Sequence, residues 1–105
     1  MKRLEDIIES PFDECLVNTI NDNMRTSEFQ VDIVSEIVED DNFDRLYELL
    51  DNSDDIMFIY ADDVTNILIN KGIDLDNYEE KYTNLELLQL AITKRCEDFL
   101  DYLTE

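Results

Sequence analysis

Apolar residues recur at helical spacing from the beginning of the chain. Leu4, Ile7 and Ile8 stand at positions i, i+3 and i+4, which predicts a short first helix ending near Glu9. A second helix is predicted to start at Ser10, Pro11 and Asp13, because a serine can cap a helix, a proline suits its first position and an acid suits its first turn. This helix is predicted to reach about Asn21, and its buried stripe consists of Phe12, Cys15, Leu16 and Ile20.

Two more helices are predicted in the middle of the chain. Ser27 and Gln30 have the spacing of a capping box, which indicates a helix to about Glu39, although Val31 to Ile33 would also suit a strand. The buried positions of this helix are Phe29, Ile33 and Ile37, flanked by Val34 and Val38. The next helix can be capped by Asp40, Asp41 or Asn42, and its broad apolar face consists of Phe43, Leu46, Tyr47, Leu49 and Leu50.

The pattern continues to the last residues. The apolar run from Ile56 to Tyr60 fits a helix or a buried strand, and its neighbours favour a helix. A further helix is predicted from a cap at Asp62 to Lys71, where Gly72 provides a stop. Two last helices then follow, one from a capping box at Thr83 and Glu86 to about Lys94, and one carrying Cys96, Phe99, Leu100 and Leu103.

The segment from Asp62 to Leu103 resembles the ankyrin repeat. Asp63 to Ile69 resembles the second helix of one repeat, and Gly72 to Asp76 resembles the Gly-Ala-Asp-Val-Asn segment that begins the connecting hairpin. Leu88 to Ile92 resembles the next first helix, and Asp98 to Leu103 resembles its second helix. Asp63 and Asp98 are 35 positions apart, whereas the family repeats near 33 residues, so about two extra residues stand between Asp76 and Thr83. The sequence departs from the family pattern at Glu86-Leu87, Gln89 and Arg95-Cys96, where ankyrin repeats carry Thr-Pro, His and Gly-His.

This resemblance implies that residues 62–105 pack as ankyrin-like helix pairs. Residues 1–61 would then cap or complete the stack, as a degenerate repeat or as a separate bundle. A helical bundle without repeats is the alternative. In either case the prediction is one all-α domain over residues 1–105, with five to seven short helices, because a chain with one glycine and one proline lacks the turn residues of an all-β fold.

The residue content excludes most catalytic chemistry. The chain contains no histidine, and its single glycine rules out a phosphate-binding loop. Cys15 and Cys96 occupy apolar helical positions and are predicted to be small buried side chains rather than a disulfide or a nucleophile. We therefore expect no enzymatic activity and no cofactor.

Metal sites and membrane segments are not predicted either. The acidic stretches Asp51 to Ile56 and Asp74 to Glu79 lack the glycine of a calcium-binding EF-hand loop. Neither a secretion signal nor an apolar run long enough for a membrane span is present. We expect a cytoplasmic protein without a bound metal.

Charge is the main indication of function. The formal net charge is −20, and the stretch from Glu28 to Asp63 holds thirteen acids against one base, Arg45. The residues most expected to contact a partner form an acidic strip of Glu36, Glu39, Asp40, Asp41, Asp44, Glu48 and Asp51. An acidic helical face often serves only as a solvated surface, but this density favours a basic protein partner.

Three function classes follow from these observations. The first is an interaction module for a basic protein surface. The second is a nucleic-acid mimic, because in size, charge and helical content the chain resembles small acidic phage proteins that inhibit restriction or CRISPR effectors. The third is a structural or oligomerisation module. Direct binding of nucleic acid is not expected, since phosphate repulsion would have to be overcome without a basic cluster.

Overall fold

The computed structural model describes residues 2–24, 26–40, 44–50, 61–74 and 83–105. These residues form a 3-10 helix, Leu4–Ile7, and five α-helices. The α-helices are α1 (Pro11–Asp22), α2 (Gln30–Glu39), α3 (Asp44–Leu50), α4 (Ala61–Asn70) and α5 (Asn84–Thr104). The predicted all-α fold class is confirmed. The described residues contain no strand, so Val31 to Ile33 belong to a helix.

Helix α5 is the central element of the fold. It packs most extensively against α2 and next against α4, while α1 contacts α2 and α3. One apolar core joins all of these elements, because each helix contributes at least one buried side chain. The buried core residues are Leu4, Phe12, Leu16, Val17, Ile20, Ile33, Val34, Ile37, Leu46, Val64, Leu68, Leu87, Leu88, Ala91, Ile92, Cys96 and Phe99.

Two predicted helix starts are confirmed by their hydrogen bonds. Ser10 Oγ accepts from the backbone N–H of Asp13 at 3.1 Å, directly before the proline that opens α1. Thr83 Oγ1 accepts from the N–H of Glu86, whose carboxylate accepts in turn from the N–H of Thr83. Each side chain satisfies an N–H group that the helix itself leaves without an acceptor.

The predicted end of α4 is confirmed as well. Gly72 has a φ of +78°, in the left-handed region that glycine adopts without a Cβ clash. The N–H of Gly72 donates to the Ile69 carbonyl, and the N–H of Ile73 donates to the Leu68 carbonyl, both at 3.0 Å. This pair of bonds is a Schellman motif, and Ile73 packs against the core beyond it.

The capping box predicted at Ser27 and Gln30 is wrong. Helix α2 begins at Gln30 itself, and the Asp32 carboxylate accepts from the N–H of Phe29 at 2.9 Å. The Gln30 amide is buried and bonds to distant groups, so it is not available to cap its own helix. Helix α4 likewise begins at Ala61, which puts Asp62 in the first turn instead of at the cap.

The division of residues 83–103 into two helices is also wrong. Helix α5 is continuous over 21 residues, where the ankyrin resemblance implies a helix, a turn and a second helix. Arg95 and Cys96 stand where that family has Gly-His, and both have side chains that a helix accommodates. The predictions for residues 56–60 and for the extra residues between Asp76 and Thr83 lie outside the described residues.

Candidate acidic interaction surface

The structure brings five residues of the predicted acidic strip together at the junction of α2 and α3. Glu36 and Glu39 lie in the last turn of α2, Asp40 is its C-cap, and Asp44 and Glu48 lie on α3. All five line one open concavity together with Arg45. The remaining two predicted residues, Asp41 and Asp51, lie outside the described residues.

Arg45 is the centre of this surface. Its guanidinium lies 2.9 Å from Glu36, 3.1 Å from Glu48 and 3.4 Å from Glu28, measured between nitrogen and carboxylate oxygen. Only 12% of the side chain is exposed. The Nε–H does not point at the Glu36 oxygen, so that contact is an ion pair without hydrogen-bond geometry.

The backbone of α3 is fastened to the same cluster. The Asp40 carboxylate accepts from the backbone N–H of Arg45 at 2.8 Å, and the N–H of Asp40 donates to the Glu36 carbonyl at 3.0 Å. An aspartate at the end of α2 therefore satisfies an N–H group in the first turn of α3. This bond fixes the corner between the two helices and so fixes the relative positions of their carboxylates.

Glu28 is a member of the cluster that the sequence prediction missed. It precedes α2, and its carboxylate reaches the Arg45 Nη2 atom across seventeen positions of sequence. Helical spacing cannot indicate such a contact, because the two residues lie on different elements. With Glu28 included, the cluster holds six described carboxylates and one guanidinium, which leaves an excess of five negative charges. The name acidic surface is used below for Glu28, Glu36, Glu39, Asp40, Asp44 and Glu48.

Basic side chains elsewhere also lie near carboxylates of the same chain. Within residues 2–24, 26–40, 44–50, 61–74 and 83–105 every lysine and arginine lies within 3.8 Å of a carboxylate. These pairs are Lys2 with Glu105, Arg3 with Glu5, Arg45 with Glu28, Glu36 and Glu48, Lys71 with Asp98, Lys94 with Glu97, and Arg95 with Glu9, Asp13 and Asp98. Excess negative charge therefore dominates the described surface.

Burial affects both cysteine thiols. Cys96 is fully buried, and burial raises the pKa of its thiol far above the ordinary value, although the charge of Arg95 acts in the opposite direction. Burial also raises the pKa of the partly exposed Cys15. Both cysteines are free thiols, and a thiol with a raised pKa is a poor nucleophile at neutral pH.

The described part of the chain holds no group of three or more acidic or cysteine side chains arranged to bind a metal ion. None of its helices combines the length and the apolar character needed to cross a membrane.

Comparisons of the chain with family models, curated proteins and solved structures gave no match.

Proposed function

We propose that the chain is a non-enzymatic interaction module that binds a basic surface of a partner protein through the acidic surface. The observation that supports this most directly is the internal pairing of every described base. A partner that approaches the junction of α2 and α3 meets carboxylates, because Arg45 is 88% shielded beneath them. Glu36 and Glu48 have more than half of their side-chain area exposed to solvent.

The proposed binding has a simple physical basis. Lysine and arginine side chains of the partner would approach a surface with five excess negative charges on a fixed helical corner. Attraction of this kind accelerates association and weakens as salt is added, because the Debye length is only about 8 Å at physiological ionic strength. A cytoplasmic location is part of the proposal, and the two free thiols are consistent with a reducing compartment.

The test compares two variants that carry the same change in net charge. Glu36→Gln, Glu39→Gln and Asp44→Asn neutralise the acidic surface, whereas Glu14→Gln, Asp22→Asn and Asp101→Asn neutralise exposed acids elsewhere. The probe is first an oligolysine peptide and then a purified partner isolated with the unmodified chain. We expect the first variant to lose on the order of tenfold in affinity and the second to lose much less. Equal losses would refute a specific surface.

Nucleic-acid mimicry is the second candidate function. The supporting observation is that two successive helices present carboxylates while their only described base is shielded, an arrangement that can resemble a row of phosphates. A mimic would compete with DNA or RNA for its partner. Ternary binding, in which the partner holds the chain and a duplex at once, would exclude mimicry and leave the interaction module intact.

A further inference from the structure

A second surface differs in character from the acidic surface. It is a groove of about 350 Å³ between the first residues of the chain, the start of α2 and the end of α5. Its apolar lining consists of Met24, Phe29, Val31 and Leu103, and its polar lining consists of Lys2, Arg3, Gln30 and Glu105. We call these eight residues the N-terminal groove.

The exposure of the groove residues is unusual for this chain. Phe29 is 61% exposed, and among the described residues the other large apolar side chain with comparable exposure is Ile69, at 57%. The side chains of Lys2 and Arg3 are 41% and 55% exposed, more than those of the other described bases. The most exposed aromatic ring and the two most exposed cations therefore line the same groove.

The internal partners of these two cations are weakly bound to them. The Nζ atom of Lys2 lies 3.8 Å from the Glu105 carboxylate, which is 70% exposed. Lys2 Nζ also donates to the main-chain oxygen of Glu105 and lies 5.3 Å from the centre of the Tyr102 ring. Exposed ion pairs contribute little to stability, so a ligand carboxylate can replace Glu105 at small cost.

The pair of Arg3 and Glu5 is exposed as well. Arg3 donates to Glu5 from Nε at 3.1 Å and from Nη2 at 3.4 Å, but the same carboxylate also accepts from the side-chain amides of Asn21 at 2.8 Å and Gln30 at 3.0 Å. Glu5 therefore keeps its amide hydrogen bonds when Arg3 turns away. The guanidinium is then available for the two-pronged contact with a carboxylate that arginine geometry favours.

We propose that the N-terminal groove binds an acidic peptide segment of another protein that carries a large aliphatic side chain. The aliphatic side chain lies against Phe29, Met24 and Leu103, and the flanking carboxylates pair with Lys2 and Arg3. This inference does not depend on the proposed function, because the two surfaces select ligands of opposite charge. The chain would thus contact a basic protein at the corner of α2 and α3 and an acidic segment at the start of α2.

Charge and size favour such a peptide over a second copy of the chain. A dimer would bring two molecules of formal charge −20 together, and stable protein interfaces bury roughly 800 Å² on each partner. The groove has a volume of about 350 Å³, which suits a short peptide segment with one large side chain. A peptide with one aliphatic side chain and flanking carboxylates matches the apolar lining and the two bases of the groove.

The test uses the full chain and three short fluorescein-labelled peptides. The first alternates aspartate with leucine, the second replaces leucine by serine, and the third replaces aspartate by lysine. Fluorescence anisotropy should show binding of the first peptide and a loss of binding with the second. Phe29→Ser should weaken binding of the first peptide on the order of tenfold, whereas the control Ile69→Ser, at an equally exposed apolar residue on α4, should leave it unchanged.

The charged rim is tested separately. Arg3→Gln together with Lys2→Gln should weaken binding of the aspartate–leucine peptide, while Lys94→Gln should not. Amide chemical shifts should change at Phe29 and Val31 when the peptide is added. Equal binding to the Phe29→Ser and Ile69→Ser variants would overturn the proposal, and so would shift changes confined to other residues. Oligolysine binding should be the same for Phe29→Ser, Ile69→Ser and the unmodified chain, because neither variant alters the acidic surface, and this separates the present proposal from the proposed function.

Discussion

Arg95 and Asp13 form a two-pronged ion pair that joins the last helix to the first. Arg95 Nε and Nη2 each donate to one oxygen of the Asp13 carboxylate at 2.8 Å, across 82 positions of sequence. The aspartate is 97% buried, and one of its oxygens also accepts from the N–H of Glu9 at 3.0 Å. The Arg95 guanidinium lies 4.9 Å from the centre of the Phe99 ring. Burial alone would lower the pKa of Arg95, but the hydrogen bond and charge of Asp13 raise it.

Loss of this pair should destabilise the fold strongly. Asp13→Ala removes the nearest and most buried carboxylate partner of a largely buried guanidinium, so we expect the free energy of unfolding to fall by about 3 kcal/mol or more. The matched control is Asp98→Ala, because Asp98 also contacts Arg95 but is 36% exposed. Asp98→Ala should lower the free energy of unfolding by less than about 1 kcal/mol. Urea denaturation of the two variants measures the difference, and similar small losses would contradict the structural role of the pair.

The two buried glutamines should respond differently to leucine substitution. The Gln30 amide accepts from the buried N–H of Leu4 at 3.0 Å and donates to Glu5 and Asn21. Gln30→Leu should therefore cost about 1–3 kcal/mol, because it strands a buried donor. Gln89 is 3% exposed, and its Nε2 atom has no hydrogen-bond partner in the described structure. Gln89→Leu should be neutral or should stabilise the protein by about 1 kcal/mol.

Thermal unfolding of both variants compares these effects directly. A destabilised Gln89→Leu variant would show that the Gln89 amide contributes favourable contacts. The comparison is informative because the two substitutions are chemically identical.

Glu5 should give the stability of the protein a specific dependence on pH. Burial alone would raise the pKa of Glu5, but hydrogen bonds from Asn21, its own backbone, Arg3 and Gln30 lower it from 4.5 to about 2. The Glu5 carboxylate therefore binds a proton less readily in the folded state than in the unfolded state. The stabilisation is complete above the unfolded pKa of 4.5 and is lost as the pH falls towards about 2.

The check is the difference in unfolding free energy between the unmodified chain and Glu5→Gln, measured with urea across that pH range. The difference should shrink as the pH is lowered, and Asn21→Ala should remove part of it. A difference that stays constant with pH would be inconsistent with the hydrogen-bonded carboxylate.

Added salt should stabilise the protein. A formal charge of −20 repels itself more strongly in the compact state than in the expanded one, and salt screens this repulsion. The melting temperature should therefore rise with sodium chloride. The variant Glu14→Gln, Asp22→Asn and Asp101→Asn carries three fewer negative charges and should show a smaller rise. A melting temperature that does not change with salt would disprove self-repulsion as a significant term.

The two thiols should differ in their reaction with iodoacetamide. Cys15 is partly exposed and should react slowly in the folded state, because burial raises its pKa. Cys96 is fully buried and should react only when the molecule unfolds. Mass spectrometry of a Cys15→Ala variant isolates the Cys96 reaction. Labelling of Cys96 faster than global unfolding would indicate local opening of α5.

Local chemistry accounts for the parts of the fold that the sequence predicts well. The cap at Ser10, the box at Thr83 and the stop at Gly72 involve residues within a few positions of one another, so their meaning does not depend on the rest of the fold. The capping box predicted at Ser27 does not form because Gln30 makes its hydrogen bonds with residues 9 to 26 positions away. The ankyrin resemblance implies a turn at Arg95 and Cys96, but neither residue breaks a helix, and α5 is continuous there.

In the candidate surfaces, too, contacts between residues close in sequence could be predicted and contacts between distant residues could not. The acidic strip could be predicted in part, since Glu36, Glu39 and Asp40 are close in sequence to Asp44 and Glu48. The shielding of Arg45 and the presence of Glu28 in the acidic surface could not be predicted, because both depend on how α2 and α3 pack against each other. The N-terminal groove was missed entirely, since it combines residues from both ends of the chain.

The contact between the last helix and the first also bears on how the protein is made. Asp13 leaves the ribosome well before Arg95, and at roughly 5–20 residues per second the interval is on the order of ten seconds. During that time Phe12 and Leu16 lack the α5 side chains that complete their core. The nascent chain must therefore remain soluble without its central helix, and its many acidic residues would discourage aggregation during this interval.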